Sequence, residues 1–267
     1  MKADFRYLKK NINRTNIYIH SVLFNWINSN RSFCSFLRKS SFFSKWVVVD
    51  PKKTFRINFP EKSKFSFIQI GGNDGVSFDF LYSEVIKRDS TGLIVEPSPR
   101  YFSELSRNYE NFRNVKLVNK AIYRANALIK LYEANKGGLE KMPDWGKGVG
   151  SVNKLHLTNR NLSDNDIDEI EVEGITFMDL LECYPEYKTV NYLQIDTEGF
   201  DFEILKLIDF SKFQCDFIRY ERANLSHADL LESERLLKSS GYDIVGDEHD
   251  NFCFKSPLFY QLKYNRR

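Results

Sequence analysis

The chain has 267 residues, 15 % of them aromatic with 23 Phe, and a formal net charge of +3. That length holds one large α/β domain, or one domain plus an extension, and the aromatic supply is enough for a sizeable core. No run of 18 apolar residues occurs, which excludes a spanning helix, and cysteines at 34, 183, 215 and 253 show neither C-x-x-C nor metal-ligand spacing, so buried thiols in a reducing compartment are expected.

The charge is unevenly placed. Residues 1–64 carry 14 Lys and Arg against 3 Asp and Glu, leaving 25 against 33 for the remainder. Residues 1–50 read as two or three helical segments, and their Phe24, Trp26, Phe33, Phe36, Phe42, Phe43 and Trp46 lie among the cations. Such a mixture suits an anionic membrane surface. Nucleic acid would select a similar composition, and so would packing on the rest of the chain or on a second copy of it. The apolar run from Ile17 to Ile27 lies late and is broken by His20, Ser21 and Asn25, so no cleavable signal is expected. The location expected is cytoplasmic, with peripheral contact at the inner face of the membrane through residues 1–50 and no nucleic-acid partner. Residues 1–60 form a basic, aromatic, helical extension, 51–60 being its connector, and 61–267 form the main domain.

The domain opens on Phe65-Ser-Phe-Ile-Gln-Ile-Gly-Gly-Asn-Asp-Gly75, where an apolar strand stops at three glycines. Gly71, Gly72 and Gly75 permit a tight turn and a close approach of ligand to backbone. A helix follows from Val76 through Ile86, its first N–H groups facing that ligand. Thr91-Gly-Leu-Ile-Val-Glu96 is a second strand, and Glu96 lies 21 residues after Gly75, where an acid accepts the hydroxyls of an adenosine ribose. G-x-G-x-x-G is absent, which points to a single nucleoside more than to a pyrophosphate. An ordinary turn and a solvated strand end are the plainer alternative. After the turn Pro97-Ser-Pro-Arg100, a helix runs through Tyr101, Leu105 and Tyr109.

Val115 to Ile122 reads as a third strand, and Ala127 to Ala134 as a further one, paired with Ile170 to Phe177. Between these two lies Lys136 to Ser151, with five glycines, a loop long enough to be a lid or substrate rim; Asn153-Lys-Leu-His156 follows it. Asp164 to Glu173 is acidic and reads as solvated. Val190 to Asp196 is the next strand, and Asp196-Thr-Glu-Gly-Phe-Asp-Phe-Glu203 places four carboxylates at its end. A helix from Asp201, a strand from Asp216 to Glu221, a helix from Ala228 to Lys238 closed by Gly241, and a hairpin of Tyr242–Val245 with Asn251–Phe254 complete the chain. The order predicts an α/β fold, a mostly parallel sheet with helices on both faces and a terminal antiparallel hairpin. Glu96, Asp196 and Glu221 each close a predicted strand, so parallel strands bring them to one rim.

The segments Phe67-Ile-Gln-Ile-Gly-Gly-Asn-Asp-Gly75, Val95-Glu-Pro-Ser-Pro99, Val118-Asn-Lys-Ala-Ile122, Leu193-Gln-Ile-Asp-Thr-Glu-Gly-Phe-Asp-Phe-Glu-Ile-Leu205 and Tyr220-Glu-Arg-Ala-Asn-Leu-Ser226 resemble the FkbM family of S-adenosylmethionine-dependent methyltransferases. The likeness spans about residues 65–255 and implies a class I, Rossmann-like methyltransferase. It implies that Gly71, Asn73, Asp74 and Gly75 hold the methionine end of the cofactor, Glu96 its ribose, and Asn119 and Ala121 its adenine. Gly72, Pro97 and Asp196 complete that cofactor-binding set. Asp196 and Glu198 would line the methyl-transfer site. Two departures stand out: many class I enzymes carry an acid where Gln69 stands, and the residue after Glu221, often His in relatives, is Arg222.

Methyl transfer to a hydroxyl needs alignment and a base for the departing proton. Asp196 is the first candidate, followed by Glu198, Glu221 and His156. Asp196 and Glu221 offer hard oxygen ligands for Mg²⁺ as an alternative that is not favoured, and no resident metal is expected. His20, His227 and His249 read as surface residues, and no zinc site is expected. The expectation is an O-methyltransferase for a sugar hydroxyl of a glycan or glycolipid precursor. A nucleotide- or glycan-binding module without turnover is the alternative; a nucleotide-sugar dehydrogenase or epimerase is disfavoured by the missing G-x-G-x-x-G and Tyr-x-x-x-Lys.

Overall fold

A computed structural model describes residues 47–60, 63–77, 80–143, 146, 148–255 and 262–264. The helices expected before residue 47 therefore lie outside the described residues. Val47–Val49 form strand β1, as three consecutive β-branched residues favour. Pro51–Asn58 form helix α1 and not the expected connector. Asp50 accepts the Lys53 N–H at 3.0 Å and Pro51 occupies the first turn, so a proline that reads as a breaker begins a helix instead. These elements and the last described strand, Leu262–Tyr264, which pairs antiparallel with β1, belong to one compact unit; residues 59–258 form another, which holds the cleft.

In that second unit the strands are β2 (Ser66–Ile70), β3 (Thr91–Val95), β4 (Val115–Val118), β5 (Ala121–Ile122), β6 (Leu128–Ala134), β7 (Gly150–Ser151), β8 (Ile167–Ile175), β9 (Thr189–Ile195), β10 (Gln214–Glu221), β11 (Tyr242–Gly246) and β12 (Asp250–Lys255). The main sheet has the order β11-β12-β10-β9-β2-β3-β4. Strands β10, β9, β2, β3 and β4 run parallel, and the β11–β12 hairpin joins antiparallel to β10. This is the expected Rossmann-like arrangement of class I methyltransferases. Strand β2 leads outward to β3 on one side, while β9 lies on the other, so the order reverses between them. The C-terminal ends of β2 and β9 therefore border the crevice where such sheets bind ligands.

The crossover helices are α2 (Leu81–Arg88), α3 (Pro99–Asn108), α6 (Phe177–Cys183), α7 (Asp201–Leu207) and α8 (His227–Ser239), with the short α4 (Lys136–Lys141) and α5 (Lys154–Thr158) inside the inserted segment. Apolar residues of α6, α7 and α8, among them Leu180, Ile204 and Leu237, pack with Ile68, Ile70, Leu193 and Ile218 in one core. Right-handed crossovers put α2 and α3 on the opposite face. Edge-to-face contacts of Tyr82 with Tyr109 and Phe112 join those two helices. Glu84 and Arg88 form a buried ion pair on α2, and Arg88 also donates to the carbonyl of Phe59 at 2.8 Å.

Four expectations are corrected. Helix α2 starts at Leu81 and not at Val76, because Asp74 accepts the N–H groups of Val76 and Ser77 and closes a local turn that competes with helix. The strand expected from 115 to 122 divides into β4 and β5, which belong to different sheets, and Asn119 at the break bonds the carbonyls of Glu96 and Pro97. The glycine-rich segment 136–151 contains α4 and β7, and its Val149 and Met142 share a small core with Ala134, Leu157 and Leu162. Most of the acidic 164–173 stretch is strand β8, whose Glu171 and Glu173 face solvent while Val172 and Gly174 are buried, a period of two. Strands β5, β8, β6 and β7 make a second sheet in that order.

Candidate functional site

At the sheet reversal, Gly71 and Gly72 both donate to the carbonyl of Val95 at 3.0 and 3.1 Å, which folds the turn back over β3. Gly71 has φ +81°, and a Cβ there would collide with the carbonyl oxygen of Asp196. This glycine is required by the fold before any ligand enters. A Cβ on Gly72 would strike Ile94, and one on Gly75 would strike Leu105 and Tyr109 of the α3 region. Asn73 takes φ +48° and donates its N–H to Glu96 Oε2 at 2.7 Å. Glu96 Oε1 accepts the N–H of Ser98 at 2.8 Å. One carboxylate thus fastens the glycine turn to the end of β3. Burial raises the Glu96 carboxyl to about 7, opposed by the N–H groups of Ser98 and Asn73, with the Glu133 charge adding to the rise.

Asp196 follows β9, and its N–H bonds the carbonyl of Ile70 at 3.0 Å, locking the two strand ends together. Its carboxyl is held well above the ordinary range, chiefly by burial and then by Asp201, with Arg219 opposing and Glu198 and Glu221 adding. Asp201, the first residue of α7, ties the turn after β9 to the end of β10. Asp201 accepts the Thr197 hydroxyl at 3.0 Å and the Glu221 N–H at 3.1 Å, and burial lifts its carboxyl to about 6. Glu198 sits at φ +54°, a conformation uncommon for a residue with a side chain. Its Oε2 lies 2.9 Å from His156 Nε2 and accepts from Arg160 at 2.7 Å and from Asn224 at 3.1 Å. Asn224 also donates to Glu221 Oε2 at 2.6 Å. Burial raises Glu221 to about 8, with the charges of Glu198 and Asp201 adding and the Asn224 bond opposing.

These residues border an open cleft at the reversal of the strand order. Of the sequence candidates, Gly71, Gly72, Asn73, Glu96, Pro97, Ala121, Asp196 and Glu198 line it. Asp74, Gly75, Asn119, Glu221 and His156 do not. Asp74 is occupied by its own turn, Gly75 faces α3, and Asn119 braces the backbone after β3. His156 and Glu221 adjoin the rim through Glu198 and Asn224. Among the described residues no group of three or more His, Cys, Asp or Glu is placed to hold a metal ion.

Ala121, Ile122, Leu131, Val149 and Val152 supply apolar lining, Glu96 stands at the glycine turn, and Asn73, Gln69, Gln194, Asp196 and Arg219 supply polar groups. The sequence reading missed Arg160, Asn224, Arg219 and Asp201. For Arg160 a signal existed, its spacing of four from His156, which aligns two side chains on a helical turn. Arg219 and Asn224 gave none, since only strand pairing and chain return bring them here.

Against known proteins, the family model described as a methyltransferase FkbM domain matches residues 69–244. A relative named Methyltransferase 1, from Beauveria bassiana (strain ARSEF 2860), is 27 % identical over 221 residues, covering 80 % of this chain and 83 % of its own. Among solved structures, a methyltransferase FkbM from Methylobacillus flagellatus KT is similar at 11 % identity and a TM-score of 0.45, over 72 % of this chain and 44 % of that one. A precorrin-6y C5,15-methyltransferase from Geobacter metallireducens GS-15 gives 13 % identity and a TM-score of 0.38, over 76 % and 86 % of the two chains.

Proposed function

The chain belongs to the FkbM methyltransferase family, and from that premise we propose that it carries the methyl group of S-adenosylmethionine to a hydroxyl oxygen of a sugar, on a glycan or glycolipid precursor. The observation that carries the reading is Glu96 beside the glycine turn, with Asp196 in the same cleft and its carboxyl held far above the ordinary range. When bound, the donor supplies a methyl carbon activated by a sulfonium. The protein's own share is alignment, which accounts for about 7–11 kcal/mol of barrier in well-oriented reactions, and proton removal, worth roughly 10²–10⁴-fold.

Glu96 would accept the ribose hydroxyls with the lone pairs that Asn73 and Ser98 leave. Ala121, Ile122 and Leu131 would shield the base from water. Asp196 would take the acceptor's proton, because a carboxyl raised above its ordinary value is a stronger base toward a hydroxyl. Glu198 Oε2 accepts from Arg160 and Asn224 and lies against His156 Nε2, so it serves as an anchor for the rim; Glu221 stands behind it through Asn224. A hydroxyl-rich acceptor suits this polar, acidic border. The same proposal includes a cytoplasmic enzyme held at the inner membrane face by residues 1–50, on the strength of their cations and aromatics. Among the described residues no helix is long and apolar enough to cross a membrane.

The test is mass spectrometry of the cell's glycans with and without the gene, followed by transfer of labelled methyl from S-adenosylmethionine to the affected fraction. The reading requires the loss of one CH₂ mass increment and labelled methyl on a sugar oxygen. Donor binding with no transfer to any fraction would leave a binding module. For Asp196→Asn, the rate should fall about 10²-fold or more while donor affinity changes little; a near-normal rate would move the base role elsewhere.

A further inference from the structure

Two carboxylates bracket the turn that leads from β9 into α7, and their surroundings differ. Asp201 is 1 % exposed, and all its partners are neutral donors. Its Oδ2 accepts the Thr197 N–H at 3.3 Å and the Thr197 hydroxyl at 3.0 Å, and its Oδ1 accepts the Glu221 N–H at 3.1 Å. Bonds of this kind favour the ionised form against burial. Asp196 lines the cleft, and among the described residues no hydrogen bond reaches its carboxylate. Of two like charges that share a turn, the one with the donors ionises first and the bare one keeps its proton longer.

The other charges that act on Asp196 are Arg219 and Glu221 of β10 and Glu198 of the same turn. Each is engaged elsewhere. Arg219 donates to Asp250 at 2.9 Å, Glu198 is ion-paired with Arg160 at 2.7 Å, and Glu221 accepts from Asn224 at 2.6 Å. Asp201 has hydrogen bonds and no ion pair among the described residues, so its charge is stabilised without being cancelled. After burial, that charge is the largest influence on Asp196. A fixed charge in a partly dry interior acts on its neighbour more strongly than one in water.

We propose that Asp201 is a positioning residue for methyl transfer: its bonds tie the ends of β9 and β10 together so that Asp196 meets the cleft, and its charge makes Asp196 the stronger base. The inference rests on Asp196 being the base. As the acceptor oxygen bonds the methyl carbon and the carbon–sulfur bond breaks, the hydroxyl proton passes to Asp196, beside the negative charge that holds it there.

An NMR titration of protein labelled at the aspartate carboxyl carbons tests this without an acceptor. The proteins are wild type, Asp201→Asn and Asp201→Glu, with Asp196→Asn identifying the Asp196 signal. In wild type, Asp201 should ionise at lower pH than Asp196. Removing the charge in Asp201→Asn should lower the Asp196 midpoint by about one pH unit or more, roughly a tenfold loss of proton affinity. Asp201→Glu, which keeps the charge, should restore most of it. An unchanged midpoint in Asp201→Asn overturns the inference, and so does an equal fall in both variants, which would trace the effect to the bonds and not to the charge. If neither variant folds, wild type decides: an Asp201 that keeps its proton while Asp196 ionises overturns it. These outcomes leave the base reading standing, whereas a near-normal transfer rate in Asp196→Asn removes that reading and the inference with it.

Discussion

Glu96 shows how one side chain is asked to do two opposed things. It is 6 % exposed, yet both oxygens accept backbone N–H groups, so the loop depends on a charge that burial disfavours. Its carboxyl rises from 4.5 to about 7 in the fold, so the folded state keeps the proton to higher pH than the unfolded chain does. Stability from this group is therefore present below the unfolded value and lost as pH climbs through the folded one. The unfolding free energy of wild type minus that of Glu96→Gln should fall by about 3 kcal/mol between pH 4.5 and 7, measured by urea titration. A flat difference would mean that Glu96 does not titrate near neutrality. Donor affinity should move the other way, rising with pH as the ionised carboxylate becomes the acceptor for the ribose. Gly71 carries a related lesson: a side chain there is expected to block a ligand, but its first victim is the carbonyl of Asp196.

At the scale of elements, the inserted segment is tied to the site at two places. Gly148 lies against the Asn73 side chain, close enough that a Cβ would collide with it. At the other place, His156 and Arg160 converge on Glu198, and the Ser151 hydroxyl donates to the Glu198 carbonyl at 3.1 Å. The segment thus spans from the glycine turn to the acidic rim, and the strained backbone of Glu198 is held by contacts from an element far away in sequence. For Arg160→Met, removing a bond to a charged group should speed amide exchange in β7 and α5 by about 10-fold or more, while β2 and β9 keep their protection. Unchanged exchange at residues 150–158 would mean that the small core of Val149, Leu157 and Leu162 holds the segment without the ion pair.

For the whole molecule, the charge is divided along the chain, and the membrane role proposed for its basic part can be tested by removing it. Residues 1–46 carry 9 Lys and Arg against 1 Asp, and each cation near an anionic surface contributes about 1 kcal/mol. Removing residues 1–46, which leaves β1 paired with Leu262–Tyr264, should release the protein from phosphatidylserine vesicles in sedimentation; retention on the vesicles would refute the membrane role. Local signals carried most of the parallel main sheet and put Glu96, Asp196 and Glu221 at the C-terminal ends of its strands, because apolar period, glycine turns and strand ends are local properties of the chain. Asp74 shows where local reading stopped: a loop acid next to glycines looks like a ligand residue, but its carboxylate closes the turn that delays α2 to Leu81. Tertiary pairing alone sets Arg219 beside Gln194, lets Arg160 reach Glu198 and gives Asp201 the turn after β9. Those pairings depend on which strand lies beside which and on how an insertion folds back, and neither register across a sheet nor return of a distant segment leaves a periodic trace along the chain.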